Sequence, residues 1–399
     1  MLDVAVQTAK AVSDTPVLRA LTSPVQWQEA SFQAEWRSFL ADSSHENLMY
    51  QSPEWFAYLQ ETGQGDSFHI AVARDAAGGL SGIVPLYAHR DYVSFSAGGR
   101  RLWSVPTRQV TLLGGEPLLP PDRALHDRFF RSLGEVFPDF QTVLMAAVPC
   151  TSFVWRYLQE SPIIRDRYLP YFVDGISHYF MMRLPESFGA YLAQFSRKKR
   201  YNMKRQCRLL GEHCGGELEL VRVHSPADID LWIEACDAID DSHWWEENSR
   251  QTAARHAMSH RRMLDLTKRG LMRSYVLRAG DQFIGYISGC QHRGTYYTWD
   301  ITYNKRFAPL SPGASMLYLM IEDLLGDRPV RLVNFGFGDP RRMLPGQTAE
   351  QYASVLLFRK SLANRIFRAT HHSFRSLVGL ARSFFKRDRV PEASNRSDE

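Results

Sequence analysis

Val72-Ala73-Arg74 followed by Leu80-Ser81-Gly82, and Val276-Leu277-Arg278 followed by Phe283-Ile284-Gly285, are the stretches on which the fold turns. Each lies within period-two alternation: Phe68 to Arg74 with Leu80 to Ala88, and Arg273 to Ala279 with Phe283 to Gln291. Such alternation marks strands, and the turns Asp75 to Gly79 and Gly280-Asp281 join each pair into a hairpin. The Arg-to-Gly separation is eight residues in the first hairpin and seven in the second. A single strand–turn–strand is common. The weight here comes from the matching order around the two, with helical segments before each and strand, helix and strand after. That order suggests a duplicated α/β unit.

Working outward, Trp27, Phe32, Trp36, Phe39 and Leu40 have the spacing of one amphipathic helix over Ser23 to Leu40. Ser52-Pro53-Glu54-Trp55 offers an N-cap with proline at the first helical position. Thr111 to Leu119 is apolar, Arg123 to Phe137 reads as a helix and Thr142 to Val148 as a buried strand. In the second half Tyr191 to Leu210 predicts one long basic helix, with further helices at Asp228 to Ile239 and Arg250 to Lys268. Thr295 to Tyr303 is a third strand, Ala314 to Leu325 a helix and Val330 to Phe337 a final strand. The expected domains are a lead-in at 1–22, an N-terminal degenerate unit at 23–190, a working unit at 191–360 and a tail at 361–399.

The chain has 399 residues, 44% hydrophobic and 23% charged, a globular composition. Its net charge is +5, from 48 basic and 43 acidic residues, and the tail after Lys360 holds most of the excess. A nearly neutral body argues against a DNA-binding protein, which would carry a basic face. The five cysteines form no C-x-x-C pair, so neither a zinc knuckle nor a redox motif is expected. Idle thiols in a reducing cytosol are the plainer reading. The first residues lack the apolar run of a signal peptide, and no stretch of 18 apolar residues occurs. A cytoplasmic protein is expected.

Several motifs occur in a telling order. Phe195-Ser196-Arg197-Lys198-Lys199-Arg200-Tyr201-Asn202 and Leu209-Leu210 come first. Gly285 follows in the hairpin, then Tyr296-Tyr297-Thr298-Trp299-Asp300, Leu310-Ser311-Pro312-Gly313 before a helix, and Asn334-Phe335-Gly336-Phe337-Gly338-Asp339. In this order and spacing the second half, from about Tyr191 to Lys360, resembles the GNAT-like acyltransferases of the CelD/FemAB type. The part around Ser52-Pro53-Glu54-Trp55 is similar to the N-terminal half of CelD-type chains. The resemblance implies an α/β fold of two tandem GNAT-like domains with mixed sheets flanked by helices, followed by a basic amphipathic helix. It also implies acyl-CoA, most simply acetyl-CoA, as co-substrate, with no permanently bound cofactor. The chain departs from the family where a lysine usually follows the final Gly-Asp or Gly-Glu. Pro340-Arg341-Arg342 stands there, and arginine keeps the charge but cannot accept a proton.

The site candidates follow from residue chemistry and that resemblance together. Ser311, Gly313 and Ala314 open a helix, whose unpaired N–H groups and positive dipole end can hold a pyrophosphate. A plain Ser-Pro helix start is the other reading. Gly285 and Gly289 interrupt a strand, a mark of a bulge or of close backbone approach. In a GNAT fold such an irregularity frees N–H groups for the thioester carbonyl, so Gly285 joins the donor site. Acyl transfer to an amine needs a base and a proton for the leaving thiol. The candidates are Asp300, Tyr303 and Asp339, with Asp300 expected among apolar aromatics that would raise its pKa. Arg341 and Arg342 are candidate clamps for an anionic acceptor, and His243, Trp244 and Trp245 a platform for a sugar ring or base. No spacing suits a metal, and His371-His372 stand in the basic tail without further ligands.

Two basic segments remain. Arg197, Arg200, Lys204 and Arg208 form one stripe that could meet the phosphates of coenzyme A, a nucleotide-sugar or an aminoacyl-tRNA, or simply face solvent. From Leu362 to Phe385 apolar residues recur at helical spacing beside arginines, a cationic amphipathic helix. It would dock on the body, lie on an anionic membrane at the inner face, or reach a partner such as a polysaccharide synthase through 361–389. The resemblance implies transfer of an acyl group to an amine of a sugar or small metabolite, in exopolysaccharide or cell-surface glycan synthesis. The rivals are a FemAB-type aminoacyl-tRNA-dependent transferase and a non-catalytic accessory protein of a membrane-bound synthase.

Overall fold

The alternating stretches fold as the pattern predicts. β2 (Ser67–Arg74) and β3 (Leu80–Ala97) make the first hairpin, and β8 (Ser274–Ala279) and β9 (Gln282–His292) the second. A computed structural model describes residues 17–21, 23–43, 48–97, 100–240, 260–326, 330–338 and 346–387. Both hairpins carry the same irregularity. Ala73 pairs with Gly82 and Arg74 with Leu80, so Ser81 is an extra residue. Leu277 pairs with Gly285 and Arg278 with Phe283, so Ile284 is the extra residue. A bulge at the same step beside the same glycine ties the two halves together more firmly than the hairpins alone.

The chain forms two compact units. Unit 1 takes its residues from Met1–Ala41, Gly63–Gly175 and Ala353–Glu399; unit 2 from Asp42–Thr62 and Ile176–Tyr352. In unit 1, β1 (Val17–Leu21), β2, β3, β4 (Arg100–Leu112) and β5 (Thr142–Pro149) lie side by side in chain order. In unit 2, β7 (Leu218–Val223), β8, β9, β10 (Thr295–Tyr303) and β11 (Leu332–Phe337) do the same. In each run the first three pairings are antiparallel and the fourth is parallel. β6 (Tyr168–Arg183) and β12 (Thr348–Arg359) each contribute one half to either unit. These are mixed sheets flanked by helices, the α/β class read from the sequence.

Helices fall at matching places. α1 (Pro24–Gln28) and α2 (Ala30–Asp42) join β1 to β2, while α9 (Ile229–Asp240) and α10 (260–268) stand between β7 and β8. α4 (Arg123–Val136) joins β4 to β5, and α11 (Pro312–Gly326) joins β10 to β11. Each of these two connections is the crossover that a parallel pair requires. In unit 1 Phe129, Phe130 and Leu133 of α4 pack on Val110, Leu112, Val143 and Met145. In unit 2 Met316, Met320 and Leu324 of α11 pack on Leu277, Ile284, Ile287 and Val333.

Some elements differ from expectation. The single helix over Ser23 to Leu40 is two, broken at Glu29, which adopts an extended ψ. The long basic helix is also two, α7 (Phe188–Ala193) and α8 (Arg197–Cys214). Ser196 starts the second by accepting the Lys199 N–H at 3.3 Å, and Gly215 ends it at φ 76°. Val17–Leu21, part of the expected lead-in, pairs with β2 as β1. The end 388–399 lies outside the described residues.

α3 (Pro53–Glu61) and α12 (Leu362–Arg387) complete the described helices used below. Ser52 caps α3 by accepting the Trp55 N–H, as read from Ser-Pro. α12 docks on unit 1. Its His371 is 2% exposed; Nδ1 accepts from the Tyr171 hydroxyl at 2.6 Å and Nε2 donates to the Ser94 carbonyl at 3.2 Å. These two partners fix the imidazole's tautomer and account for His371 as a structural residue. Phe367 and Phe374 flank it and meet the ring of Phe95 at 5.9 and 5.3 Å.

Candidate active site

Unit 2 opens its sheet at one place. β10 and β11 pair in parallel only at Thr295–Leu332, Tyr296–Val333 and Tyr297–Asn334. Beyond that step β10 runs on to Tyr303 and β11 to Phe337 with no further pairing between them among the described residues. Both strands are irregular just there. Between Thr298 and Asp300 the pairing of β10 with β9 shifts by one residue, making Trp299 a bulge. Between Asn334 and Gly336 the pairing of β11 with β6 shifts likewise. Asn334 sets this second bend: its side-chain oxygen accepts the Gly336 N–H at 2.9 Å, and Gly336 takes φ 67°. Splayed parallel strands free main-chain donors from the ladder and leave space at their carboxyl ends, where α/β sheets bind ligands.

The turn into α11 faces solvent. Ser311 and Ala314 are exposed and Gly313 is half-buried. Ser311 has φ 55° and is one of two non-glycine residues with positive φ among the described residues. Strained backbone of this kind clusters at functional sites. Pro312 at the first helical position has no N–H, and the Ala314 N–H donates to the Ser311 carbonyl at 3.0 Å, so the Gly313 N–H and the positive end of the helix dipole are what this turn can offer an anion. The Tyr303 ring lies beside Gly313, 3.6 Å from where a Cβ would stand. The structure therefore brings Ser311, Gly313, Ala314 and Tyr303 together at the open side of the splay.

Other candidates stand elsewhere. Gly285 is buried, and a Cβ there would lie 2.7 Å from Met316 Sδ and 2.8 Å from the Thr302 carbonyl. The missing side chain lets α11 approach the sheet closely there. The bulge nearest the splay is at Trp299 in β10, not in β9. Asp300 is exposed and accepts from the Thr302 hydroxyl at 2.9 Å, so the apolar setting expected for it is absent. The Trp299 bulge breaks the alternation that would have turned it inward. Asp339, Arg341, Arg342, His243, Trp244 and Trp245 lie outside the described residues.

Sequence reading missed an aromatic cluster at the start of the splay. Tyr50 and Trp55 come from Asp42–Thr62, which belongs to unit 2. The Trp299 indole N–H donates to Tyr50 Oη at 3.1 Å, and the Met49 N–H donates to Tyr297 Oη at 3.3 Å. The Tyr50, Trp55 and Trp299 rings meet edge to face at 5.2 and 6.0 Å. Burial pushes the Tyr50 hydroxyl far above its usual pKa. No local signal could have found it, because Trp299 lies 249 positions after Tyr50.

α11 is held from below by a polar knot. Asp323 accepts from Arg222 Nη2 at 2.6 Å, Arg273 Nη2 at 2.6 Å and the Tyr275 hydroxyl at 2.8 Å. Burial would raise the Asp323 pKa, but these three donors outweigh it and hold the carboxyl below its usual range. α8 lies along α11, with Leu210 in the same core. Its Arg197, Lys198, Lys199, Lys204 and Arg205 are exposed and make no ion pair among the described residues, whereas Arg208 pairs with Glu212. Among the described residues no group of three or more His, Cys, Asp or Glu could hold a metal.

These features coincide with a family match. The family described as an acetyltransferase (GNAT) domain matches residues 197–342, from the start of α8 past the end of β11. Such a domain uses acyl-CoA and an amine acceptor, and the match supports an N-acyltransferase. A search of the curated proteins found no match. Among solved structures the chain is similar to FemX, with TM-score 0.55 and 9% identity, covering 85% of this chain and 98% of that one. It is also similar to a tandem GNAT protein from the clavulanic acid biosynthesis pathway, with TM-score 0.48, 11% identity and 86% and 98% coverage. A conserved protein of unknown function from Bacteroides thetaiotaomicron VPI-5482 gives TM-score 0.48, 11% identity and 82% and 97% coverage. At 9% identity the likeness to FemX is one of fold.

Proposed function

We propose that unit 2 is the working half of a CelD/FemAB-type N-acyltransferase that moves an acetyl group from acetyl-CoA to an amine on a sugar or small metabolite. The observation that carries this reading is the exposed Ser311–Ala314 turn beside strands that part after Tyr297 and Asn334. The pyrophosphate of the donor sits at the N-terminus of α11, met by the Gly313 N–H and the helix dipole. The acyl carbonyl points to the freed edge of β10, whose N–H groups stabilise the developing oxyanion. The amine nitrogen attacks the thioester carbon, the C–S bond breaks, and the thiolate takes a proton as the amine loses one. Tyr303, whose ring lies beside Gly313, is the candidate proton donor to the leaving thiolate, and Asp300 and Asp339 are candidate acceptors of the amine proton. Tyr50, Trp55 and Trp299 are the aromatic wall against which an acceptor ring rests. The acceptor is an amino sugar of a cell-surface glycan precursor, modified in the cytoplasm, where acyl-CoA is made.

Isothermal titration with acetyl-CoA tests the donor. Saturable binding is expected, and Gly313→Asp should weaken it by about 100-fold, because a carboxylate then faces the phosphates at short range. Intact binding in a folded Gly313→Asp variant would remove the turn from the site.

A second reading has one observation in its favour, the exposed unpaired cations of α8. On that reading the acyl group is an aminoacyl residue and α8 meets tRNA phosphates. Binding to charged tRNA that falls steeply with salt, with none to acetyl-CoA, would select it.

A further inference from the structure

α12 has two apolar stripes, and docking uses only one. Phe367, His371 and Phe374 face the body, where they meet Phe95, Tyr171 and Phe358. Leu362, Ile366 and Leu377 are 74%, 60% and 65% exposed. At about 100° per residue these three fall within roughly 60° of one another and on a different side from the docked residues. The same spacing continues in the sequence to Leu380 and Phe384. Large apolar side chains repeating on the open side of an already docked helix need a reason.

The charges of α12 supply one. Leu362–Arg387 contains six Lys and Arg residues and no Asp or Glu. By helical register Arg365, Arg368 and Arg375 group along one flank, between the docked stripe and the open stripe. Arg368 uses its guanidinium to donate to the Pro170 carbonyl at 3.2 Å, and Arg365 is exposed. Beside the helix, Trp103 touches Phe374 at 5.4 Å while remaining 47% exposed, and Arg101 is exposed near it in β4. An apolar stripe with a cationic flank and a neighbouring half-exposed indole matches the polarity profile of a bilayer interface.

We infer that α12 is a surface anchor: its open stripe lies in the interface of an anionic phospholipid bilayer, while its docked stripe keeps unit 1 fixed to it. The charge pattern selects this occupant over a second copy of the chain. Pairing two such helices face to face would bring like charges together with no acid on either to offset them. An anionic leaflet attracts every one of them, and the attraction adds to apolar burial. No helix among the described residues is long and apolar enough to cross a membrane, so contact is lateral.

Vesicle co-sedimentation of the full chain tests this. The protein should partition onto phosphatidylcholine–phosphatidylglycerol vesicles and much less onto phosphatidylcholine alone, with binding that falls as salt rises. Ile366→Asp with Leu377→Asp should weaken partitioning by at least about tenfold. Arg365→Glu should weaken it by about fivefold for each unit of charge changed. Both variants change exposed residues off the docked stripe, so unchanged thermal melting is expected and identifies them as folded. Absence of partitioning by the parent, or equal binding to neutral vesicles, overturns the inference. So does a dimer in sedimentation equilibrium that Ile366→Asp dissolves while vesicles leave the protein in solution, since a second copy would then be the occupant.

Discussion

Unit 1 and unit 2 reach the helix after their fourth strand in opposite ways. In unit 1 the loop from Leu113 to Leu118 is almost entirely buried, and Gly115 is pressed so close to Ala147 that a Cβ would lie 2.3 Å from its carbonyl oxygen. The loop is stitched to the sheet where Ile83 N–H donates to the Leu118 carbonyl at 2.8 Å. The helix it enters is already capped: Asp122 accepts the Ala124 N–H at 2.7 Å. Unit 2 leaves the equivalent turn exposed, and there the Ala314 N–H meets the Ser311 carbonyl rather than a carboxylate. The same topology therefore carries a buried, carboxylate-capped approach to the helix in one copy and a solvent-facing one in the other. A carboxylate built into the protein occupies in unit 1 the place an external anion would take in unit 2.

The largest contrast to test lies beneath α11. Asp323 ties α11 to Arg222, Arg273 and Tyr275, and Arg273 is 6% exposed. Asp323→Ala leaves that guanidinium buried without its carboxylate, and a loss of about 3 kcal/mol is expected. A counterpart in unit 1 is the two-pronged pair of Arg74 with Glu35, at 2.7 and 2.8 Å but with side chains 36% and 32% exposed. Glu35→Ala should cost only about 0.5–1 kcal/mol. Urea denaturation of the two variants measures the difference, and equal losses would show that burial is not what separates them. The Asp323 contribution also has a pH signature. A carboxyl held below its ordinary value of 3.8 stabilises the fold above that value and loses the contribution as pH falls through its lower folded value.

Glu116 gives the next contrast. It sits in the closed loop of unit 1 at 6% exposure, and burial pushes its carboxyl up to about 7 against a hydrogen bond with Ser152. The unfolded chain ionises it near 4.5. Between those values the folded state holds the extra proton, so stability declines as pH rises from about 4.5 to 7. Glu116→Gln should flatten that decline and raise stability at pH 8 by up to about 3 kcal/mol. Melting curves across this pH range check it, and an unchanged profile would place the carboxyl in water. No such slope is expected from the open turn of unit 2.

How much of this was legible in the sequence depends on distance along the chain. The hairpins, β5, β10 and α11 follow from periodicity and turn residues within about ten positions, because local sterics and one buried face specify them. The turn Ser311–Ala314 was legible for the same reason: Ser-Pro-Gly before an apolar helix is a local signal. The bulge was half visible, as glycine placement showed where backbone comes close but not which strand would bend. Gly285 thus went to the donor site although its neighbour is Met316. The aromatic cluster was not legible, since nothing local in Tyr50 or Trp55 points to Trp299. Strands β6 and β12, whose halves serve different units, are invisible to linear reading because strand pairing is decided by nonlocal contacts.

The smallest expected effect bears most directly on the repeat itself. Gly82 and Gly285 occupy the same step of the same bulge, but different neighbours crowd them. A Cβ on Gly82 would meet the Leu118 carbonyl and Leu119 Cδ2 at 2.9 Å each; one on Gly285 would meet Met316 Sδ at 2.7 Å and the Thr302 carbonyl at 2.8 Å. In both cases backbone must give way, so Gly82→Ala and Gly285→Ala should each cost about 1–3 kcal/mol. The functional consequences should part. Gly82→Ala disturbs a loop that is closed in any case, and acetyl-CoA affinity should stay within about twofold of the parent, a few tenths of a kcal/mol. Gly285→Ala pushes on Met316 in the first turns of α11 and shifts the Ser311–Ala314 turn proposed to hold the pyrophosphate. Affinity should then fall by about tenfold, the usual scale for loss of one good hydrogen bond to a charged group. Titrating both variants with acetyl-CoA at a temperature where each is fully folded separates the two glycines. If both lose affinity alike, the closed unit is coupled to the donor site; if neither does, α11 absorbs the extra methyl without moving its N-terminus.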